Sequence, residues 1–352
     1  MNSDDQSASL LAQVRAAIKH QSPLTIEGCG SKSFYGYPPS PNLERLDVSG
    51  HRGIIDYAPA ELVLHVRAGT RLSEINQLLG DNNQILPFEP PDFDANATIG
   101  GVVASGLSGP RRPYAGSVRD FVLGVTLITG RGEILAFGGQ VMKNVAGYDV
   151  SRLVTGSLGT LGIILDVSLK VLPAPEVEIT RAIAVSYQDF QSRLQSMQRN
   201  LPLSAAAYQD GSLKVRLSGS EAAVSAAEQK ISGEDTDNGY WGELNKLECF
   251  DAVKNLWRVS VAPASKLFLE DAAVIDWGGG IRWLADPADD PRKVLAGEDG
   301  HATLMKYNEE SLSSGIDIFQ PLPEPLLSIH HKLNQQFDPA GIFNPGRMYR
   351  SI

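Results

Sequence analysis

Within residues 25–36, TIEGCGSKSFYG, stand two closely spaced glycines (Gly28 and Gly30), two serines (Ser31 and Ser33), a thiol (Cys29) and a lysine (Lys32). These residue types suit a phosphate: glycines let backbone N–H groups reach an anion, hydroxyls donate to it, and an ammonium neutralises it. Spacing excludes two familiar loops of this composition. A P-loop aligned on Lys32-Ser33 requires glycine at positions 31 and 26, where Ser31 and Ile26 stand. A dinucleotide fingerprint requires a third glycine and a helix-periodic run after Gly28-Cys-Gly30, and neither follows. Two readings of the residues stay open: a free-standing loop after a strand that cradles a pyrophosphate, and a tight turn, where glycine and serine are common.

Three further clusters could do chemistry. The stretch Pro90-Pro-Asp-Phe-Asp-Ala-Asn-Ala-Thr-Ile-Gly-Gly101, continuing VVASGLSGPRRPYAGSVRDFVLGV, offers small residues against which a flat ring system could lie. The alternative is a flexible linker, against which Ile99, Val102 and Val103 among the glycines argue. Residues 143–164, KNVAGYDVSRLVTGSLGTLGII, place Gly156, Gly159 and Gly162 at triplet spacing before an apolar strand. Such spacing means either a backbone that approaches a ligand or a bulge in close contact with a sheet. Phe343-Asn-Pro-Gly346 forms a polar turn signal near the end of the chain. Histidines show no metal-ligand spacing beyond the adjacent pair His330-His331. The two cysteines, Cys29 and Cys249, have no CxxC partner, which excludes a disulfide framework or a cysteine-held iron–sulfur cluster within the chain. Arg111, Arg112 and Arg347 are candidates for gripping a carboxylate, although arginines beside prolines in loops are more often surface charges or partner contacts.

These residues need a scaffold, and 352 residues supply about two domains. A net charge of −10 argues against nucleic acid as the partner, and cysteine usage points to a reducing compartment. No apolar run approaches the ~18 residues of a membrane span. Near the N-terminus Leu10, Leu11, Val14 and Ile18 recur at helical spacing, as in a docking helix. LTIEG, GIIDYAP, LVLHVRAG, FVLGVTLIT and LGIILDVSLKVL read as strands. Between them a helix is expected with Thr70 as N-cap, Leu72, Ile75, Leu78 and Leu79 as its apolar face and Gly80 as its stop. LPAPEVE (172–178) marks a boundary. Beyond it, strands (ITRAIAVSY, SLKVRLSG, IRWLAD) alternate with helical stretches (YQDFQSRLQSMQRN, SEAAVSAAEQKI), suiting helices on one face of an antiparallel sheet. The acidic tract GEDTDNGYWGE reads as an exposed loop, and PLLSIHHKLNQQFDP as a final helix.

The order strand–GCGSKS, TIGG…SG, RDFVLGV, KNVAGYD…GSLGTLGII and C-terminal FNPG resembles the FAD-binding family related to vanillyl-alcohol oxidase and D-lactate dehydrogenase. Within it, VVASGLSGPRRP and the short chain are most similar to the FAD-binding subunits of bacterial glycolate oxidases. The match covers residues 24–173 and 338–349. The resemblance implies an α+β fold: a two-subdomain FAD-binding domain at 1–175, a smaller α+β cap at 176–312, and a C-terminal helix and tail at 313–352 returning to the flavin. It implies that Gly28, Cys29, Gly30, Ser31, Lys32 and Ser33 hold the FAD pyrophosphate. Thr98, Gly100, Gly101, Ser105 and Gly106, with Pro90 at the start of their stretch, would lie along the ribityl chain and flavin. Gly159, Gly162 and Ile164 would border the rings, and Asn344 would come near the flavin. With no histidine in the pyrophosphate loop, FAD is expected to be non-covalent. Phe93, Val102 and Leu158 replace residues common in relatives. The histidine- and glutamate-rich cluster of the larger catalytic relatives has no counterpart in the second half of the chain. The resemblance therefore implies a cytoplasmic oxidoreductase subunit, able to reach the inner membrane through its partners. It would carry electrons alongside a larger catalytic FAD subunit and an iron–sulfur subunit. Two alternatives stay open: a self-sufficient FAD-dependent oxidoreductase of a small hydroxy acid, and a flavin-free scaffold.

Overall fold

The computed structural model describes residues 4–94, 96–139 and 149–352, so most of the KNVAGYD motif lies outside the described residues. The chain divides into two compact units. The first comprises residues 1–108, 116–174 and 322–352.

It begins with α1 (Ser7–His20), whose Leu10, Val14 and Ala17 are buried as their spacing requires. They pack with Leu24, Leu46, Ile163, Leu165 and Phe343. Next, β1 (Leu24–Glu27) pairs in parallel with β2 (Glu44–Asp47). Strands β3 (Ile54–Ala58) and β4 (Val63–Arg67) lead into α2 (Leu72–Gly80), which buries Leu72, Ile75 and Leu79. Thr70 is not its N-cap. Arg71 takes that place without a side-chain bond, and Thr70 Oγ1 is consumed by Gly53, accepting from its N–H at 2.8 Å. A buried hydroxyl satisfies whichever backbone groups face it, and here those lie on the preceding loop.

The short strand β5 (Gln84–Ile85) precedes α3 (Ile99–Ser105), α4 (Arg112–Ala115) and α5 (Val118–Phe121). Then come β6 (Val122–Ile128), β7 (Ile134–Gly138), α6 (Val150–Val154), β8 (Ile163–Lys170) and β9 (Leu172–Pro173). Five of these strands form an antiparallel sheet in the order β3-β4-β8-β6-β7. Alternate residues Leu64, Val66, Val125, Leu127, Val167 and Leu169 share one core with Leu72, Ile75 and Leu79 of α2 and Ile99, Val102 and Val103 of α3. The buried small-residue stretch is thus a helix bound to a sheet rather than a linker.

The second unit comprises residues 109–115 and 175–321. It contains β10 (Val177–Ala184), α7 (Phe190–Gln198), β11 (Leu203–Gln209), β12 (Ser212–Gly219), α8 (Glu221–Glu228), β13 (Glu234–Thr236) and α9 (Gly239–Asn245). After these follow β14 (Leu256–Val261), β15 (Val274–Asp276), β16 (Ile281–Ala285), β17 (Gly300–Lys306) and α10 (Glu309–Ser313). Its eight strands make one antiparallel sheet, β13-β10-β12-β11-β15-β16-β14-β17. The helix α11 (Glu324–Phe337) belongs to the first unit. The acidic tract expected as a loop instead builds β13 and α9. Trp241 drives this: it is 3% exposed, and its indole N–H donates to Thr180 Oγ1 at 2.8 Å.

The Gly109–Ala115 segment is held in the second unit by Arg111, which is buried and bonded to Glu178 and to Ser218. Arg216 also faces Glu178, at 3.6 Å. Burial alone would raise the Glu178 pKa, but the charges of Arg111 and Arg216 outweigh it and hold the carboxyl below its usual 4.5. A folded-state pKa below the unfolded one stabilises above the unfolded value and is lost as pH falls through the folded value. Glu178→Gln is therefore expected to destabilise the protein at neutral pH, because two buried guanidiniums lose their counter-charge. It should also flatten the acid limb of stability below about pH 4.5. Denaturant melts of both proteins across acid pH check this.

Candidate functional site

The glycine-rich motifs converge on one cleft in the first unit. It opens around β1 and the loop that follows, and is lined by residues 25–33 with Thr98, Gly101, Ala104, Ser105, Leu158, Asn344 and Arg347. Its volume is about 120 Å³, and it opens to solvent along one side. An adjoining hollow shares Ile26, Gly28, Thr98, Gly101, Ala104, Leu158 and Asn344, and adds Val48, Ala68, Gly100, Gly159, Gly162, Ile163 and Ile164.

The two ends differ chemically. At the loop end, the N–H groups of Cys29, Gly30, Ser31 and Lys32 find no acceptor among the described residues. Lys32 is only 9% exposed. Its ammonium lies 3.5 Å from Ser31 Oγ and 5.8 Å from the centre of the Phe93 ring. Burial pushes its pKa down, against the smaller opposing pull of Cys29 and Asp92. This end is a set of donors around a buried cation, and it calls for an anion. At the other end Ile26, Val48, Ala68, Ala104, Leu158, Ile163 and Ile164 give an apolar lining fit for a flat ring.

Three contacts build the cleft. Gly100 N–H donates to Ala68 O at 2.8 Å, and a Cβ at Gly100 would lie 2.7 Å from the Ala68 methyl, so α3 can sit against the β4–α2 corner only with glycine there. Asn344 joins three distant segments: its Oδ1 accepts from Ile26 N–H at 2.7 Å and its Nδ2 donates to Leu158 O at 2.8 Å. Gly159 (φ +75°) passes beneath that amide, and a Cβ would fall 2.8 Å from Asn344 Nδ2. Arg347 ties the pyrophosphate-type loop to the C-terminal turn by donating to Tyr37 O and to Ser33 O at 2.8 Å.

Of the residues singled out in the sequence, Gly28, Cys29, Gly30, Ser31, Lys32, Ser33, Thr98, Gly100, Gly101, Ser105, Gly159, Gly162, Ile164 and Asn344 line this cleft. Pro90 and Gly106 do not; Gly106 ends α3 and passes the Gly156 backbone. Asn344 acts as a tie, its amide already spent on backbone groups. Phe93 packs edge-on against Phe34, 4.9 Å between ring centres, and Val102 is in the core. Arg111 is a buried ion-pair member rather than a surface charge. Ile26 and Ala104, inside the quoted stretches, and Ala68, outside them, were not singled out from the sequence; they enter the site because β1, α3 and the end of β4 are docked there.

An FAD binding domain model matches residues 5–138. The glycolate oxidase subunit GlcE of Escherichia coli K12 is 45% identical over 354 aligned positions, covering 99% of both chains. The glycolate oxidase subunit GlcD of Bacillus subtilis is 28% identical over 51% of this chain and 37% of its own. A solved alkyldihydroxyacetonephosphate synthase superposes with a TM-score of 0.67 at 14% identity, over 97% of this chain and 75% of its own. The α+β fold is that of the vanillyl-alcohol oxidase-type FAD proteins, and the donor-rich and apolar ends of the cleft fit the diphosphate and rings of FAD. With near-complete coverage at this identity, the chain belongs to the family of FAD-binding glycolate oxidase subunits represented by GlcE.

Proposed function

We propose that this chain is the FAD-carrying electron-transfer subunit of a glycolate oxidase-type complex, working beside a larger catalytic flavoprotein and an iron–sulfur subunit. The observation that carries the reading is the commitment of the cleft's titratable groups. Glu27 is paired with Arg45 at 2.7 Å, Arg347 is spent on loop carbonyls, and Lys32 stands at the anion-binding end. The lining contains no histidine and no second carboxylate among the described residues, so no base stands beside a free carboxylate-gripping cation there. Bound FAD supplies reversible one- and two-electron chemistry. The chain's part is to hold it: Lys32 and the N–H groups of residues 29–32 neutralise the diphosphate, Ser31 and Ser33 add donors, and Ile26, Leu158 and Ile164 keep water from the rings. Nothing in the loop offers a histidine attachment point, so the cofactor is held non-covalently.

The test is to isolate the complex from cells expressing the three subunits, with this chain wild type or Lys32→Met. FAD released from this chain by denaturation, and glycolate-driven dye reduction slowed in the variant, are expected. A complex of full activity in which this chain holds no FAD would overturn the reading.

A further inference from the structure

A second hollow lies in the first unit, on the five-stranded sheet, and shares no lining residue with the flavin cleft. Its volume is about 160 Å³ and it opens to solvent. A cavity of roughly 150 Å³ holds a ligand of benzene's size. Its polar lining falls in two cross-strand rows. His65, Ser168, Gly124 and Gly138 stand opposite one another on β4, β8, β6 and β7. Asp166, Thr126 and Ala136 form the next row on β8, β6 and β7. We infer that this hollow binds a primary ammonium group, with Asp166 as its counter-charge and the Ser168 and Thr126 hydroxyls as its acceptors.

Unspent acceptors carry the inference. Ser168 is 5% exposed, yet its hydroxyl makes no hydrogen bond among the described residues. Buried polar groups normally have a partner. Asp166 Oδ1 faces His51 Nε2 at 3.4 Å, and no bond to Oδ2 occurs among the described residues. His51 Nδ1 accepts from Gln6 N–H at 3.0 Å, so the ring proton sits on Nε2 and the imidazole is neutral. The histidine therefore orients the carboxylate without cancelling its charge. Thr126, directly across from Asp166, is also unbonded through its hydroxyl among the described residues. Asp56 continues the first row beyond His65 and Arg67 the second beyond Asp166, and Arg67 is met by Asp5 at 3.2 Å. The surroundings are thus acidic on balance, which disfavours an anion. No three histidine, cysteine or acidic side chains among the described residues gather as metal ligands. An ammonium brings one positive charge and three donors, matching a carboxylate with two hydroxyls. Gly124 keeps the room open: a Cβ there would lie 2.9 Å from the Gly139 backbone, so no side chain can fill the space beside Ser168.

The experiment titrates methylammonium, tetramethylammonium and Nα-acetyl-lysine methylamide into the full-length chain. NMR shifts of the His65 ring, assigned with His65→Gln, are followed for wild type, Asp166→Asn, Ser168→Ala and Thr126→Val, with circular dichroism and FAD content measured on each. A saturable shift with methylammonium is expected in wild type, weakened about tenfold or more in Asp166→Asn and about threefold in each hydroxyl variant. Tetramethylammonium, charged but without N–H donors, is expected to bind about tenfold more weakly. Tighter binding of the lysine amide assigns the site to a lysine of a partner protein, and tighter binding of methylammonium assigns it to a free amine. If Asp166→Asn fails to fold, the two hydroxyl variants decide. Absence of a saturable shift, equal binding of the two ammonium salts, or equal affinity in all folded variants would overturn the inference.

Discussion

Asn344→Ala is expected to destabilise the first unit by about 2–4 kcal/mol and to empty the cleft of cofactor. Both ends of the amide are used: Ile26 N–H, part-buried, loses its acceptor, and Leu158 O, in a buried bond, loses its donor. An unsatisfied buried group costs roughly 1–3 kcal/mol. Asn344 also sits at φ +45°, where asparagine is tolerated better than alanine. Asn344→Asp keeps the acceptor for Ile26 but sets a carboxylate oxygen against Leu158 O, so it should be no better than alanine. Asn344→Gly relieves the backbone yet loses both bonds, and should fall between wild type and alanine. Urea unfolding ranks the three, and a ranking in which glycine equals wild type would show that the amide ties contribute nothing.

Lys32→Met is expected to leave stability near wild type and to weaken FAD binding roughly 10- to 100-fold, the worth of a charge-assisted bond to phosphate. The effect carries a pH signature. Burial holds the ammonium's pKa below 10.5 in the free protein, and a bound diphosphate favours the charged form and raises it. FAD affinity is therefore full below the free-protein value and declines as pH rises from that value toward the bound-state value. The methionine variant should show a flat profile over the same range. Titration of FAD into deflavinated protein, followed by flavin fluorescence, gives both curves; a wild-type curve as flat as the variant's would remove Lys32 from the diphosphate.

The sequence made the first unit readable where local pattern and tertiary need agree. The runs at 54–58, 63–67, 122–128 and 163–170 are rich in β-branched residues and became strands of one sheet. The GCGSKS and TIGG motifs entered the cleft together because glycine was required for close backbone approach, as at Gly100 against Ala68. Thr70 misled because a capping residue type also serves any buried backbone group, and Gly53 claimed it. The strand at 203–209, LSAAAYQ, carried too weak a β signal to stand out; it is stabilised by pairing with β12 and β15. The Asn344 tie and the hollow around Asp166 were invisible for a simpler reason. Each joins residues far apart in the chain, 318 positions in the case of Ile26 and Asn344, and no motif links their ends.

The central claim, a flavin carrier that does not itself oxidise the acid, is tested most directly by an absorbance spectrum of the purified chain before and after anaerobic addition of glycolate, beside the same addition to the assembled complex. Bound-flavin bands are expected in the isolated chain, persisting with glycolate there and bleaching within the complex. Bleaching of the isolated chain by glycolate would contradict it, and would make this chain a dehydrogenase in its own right.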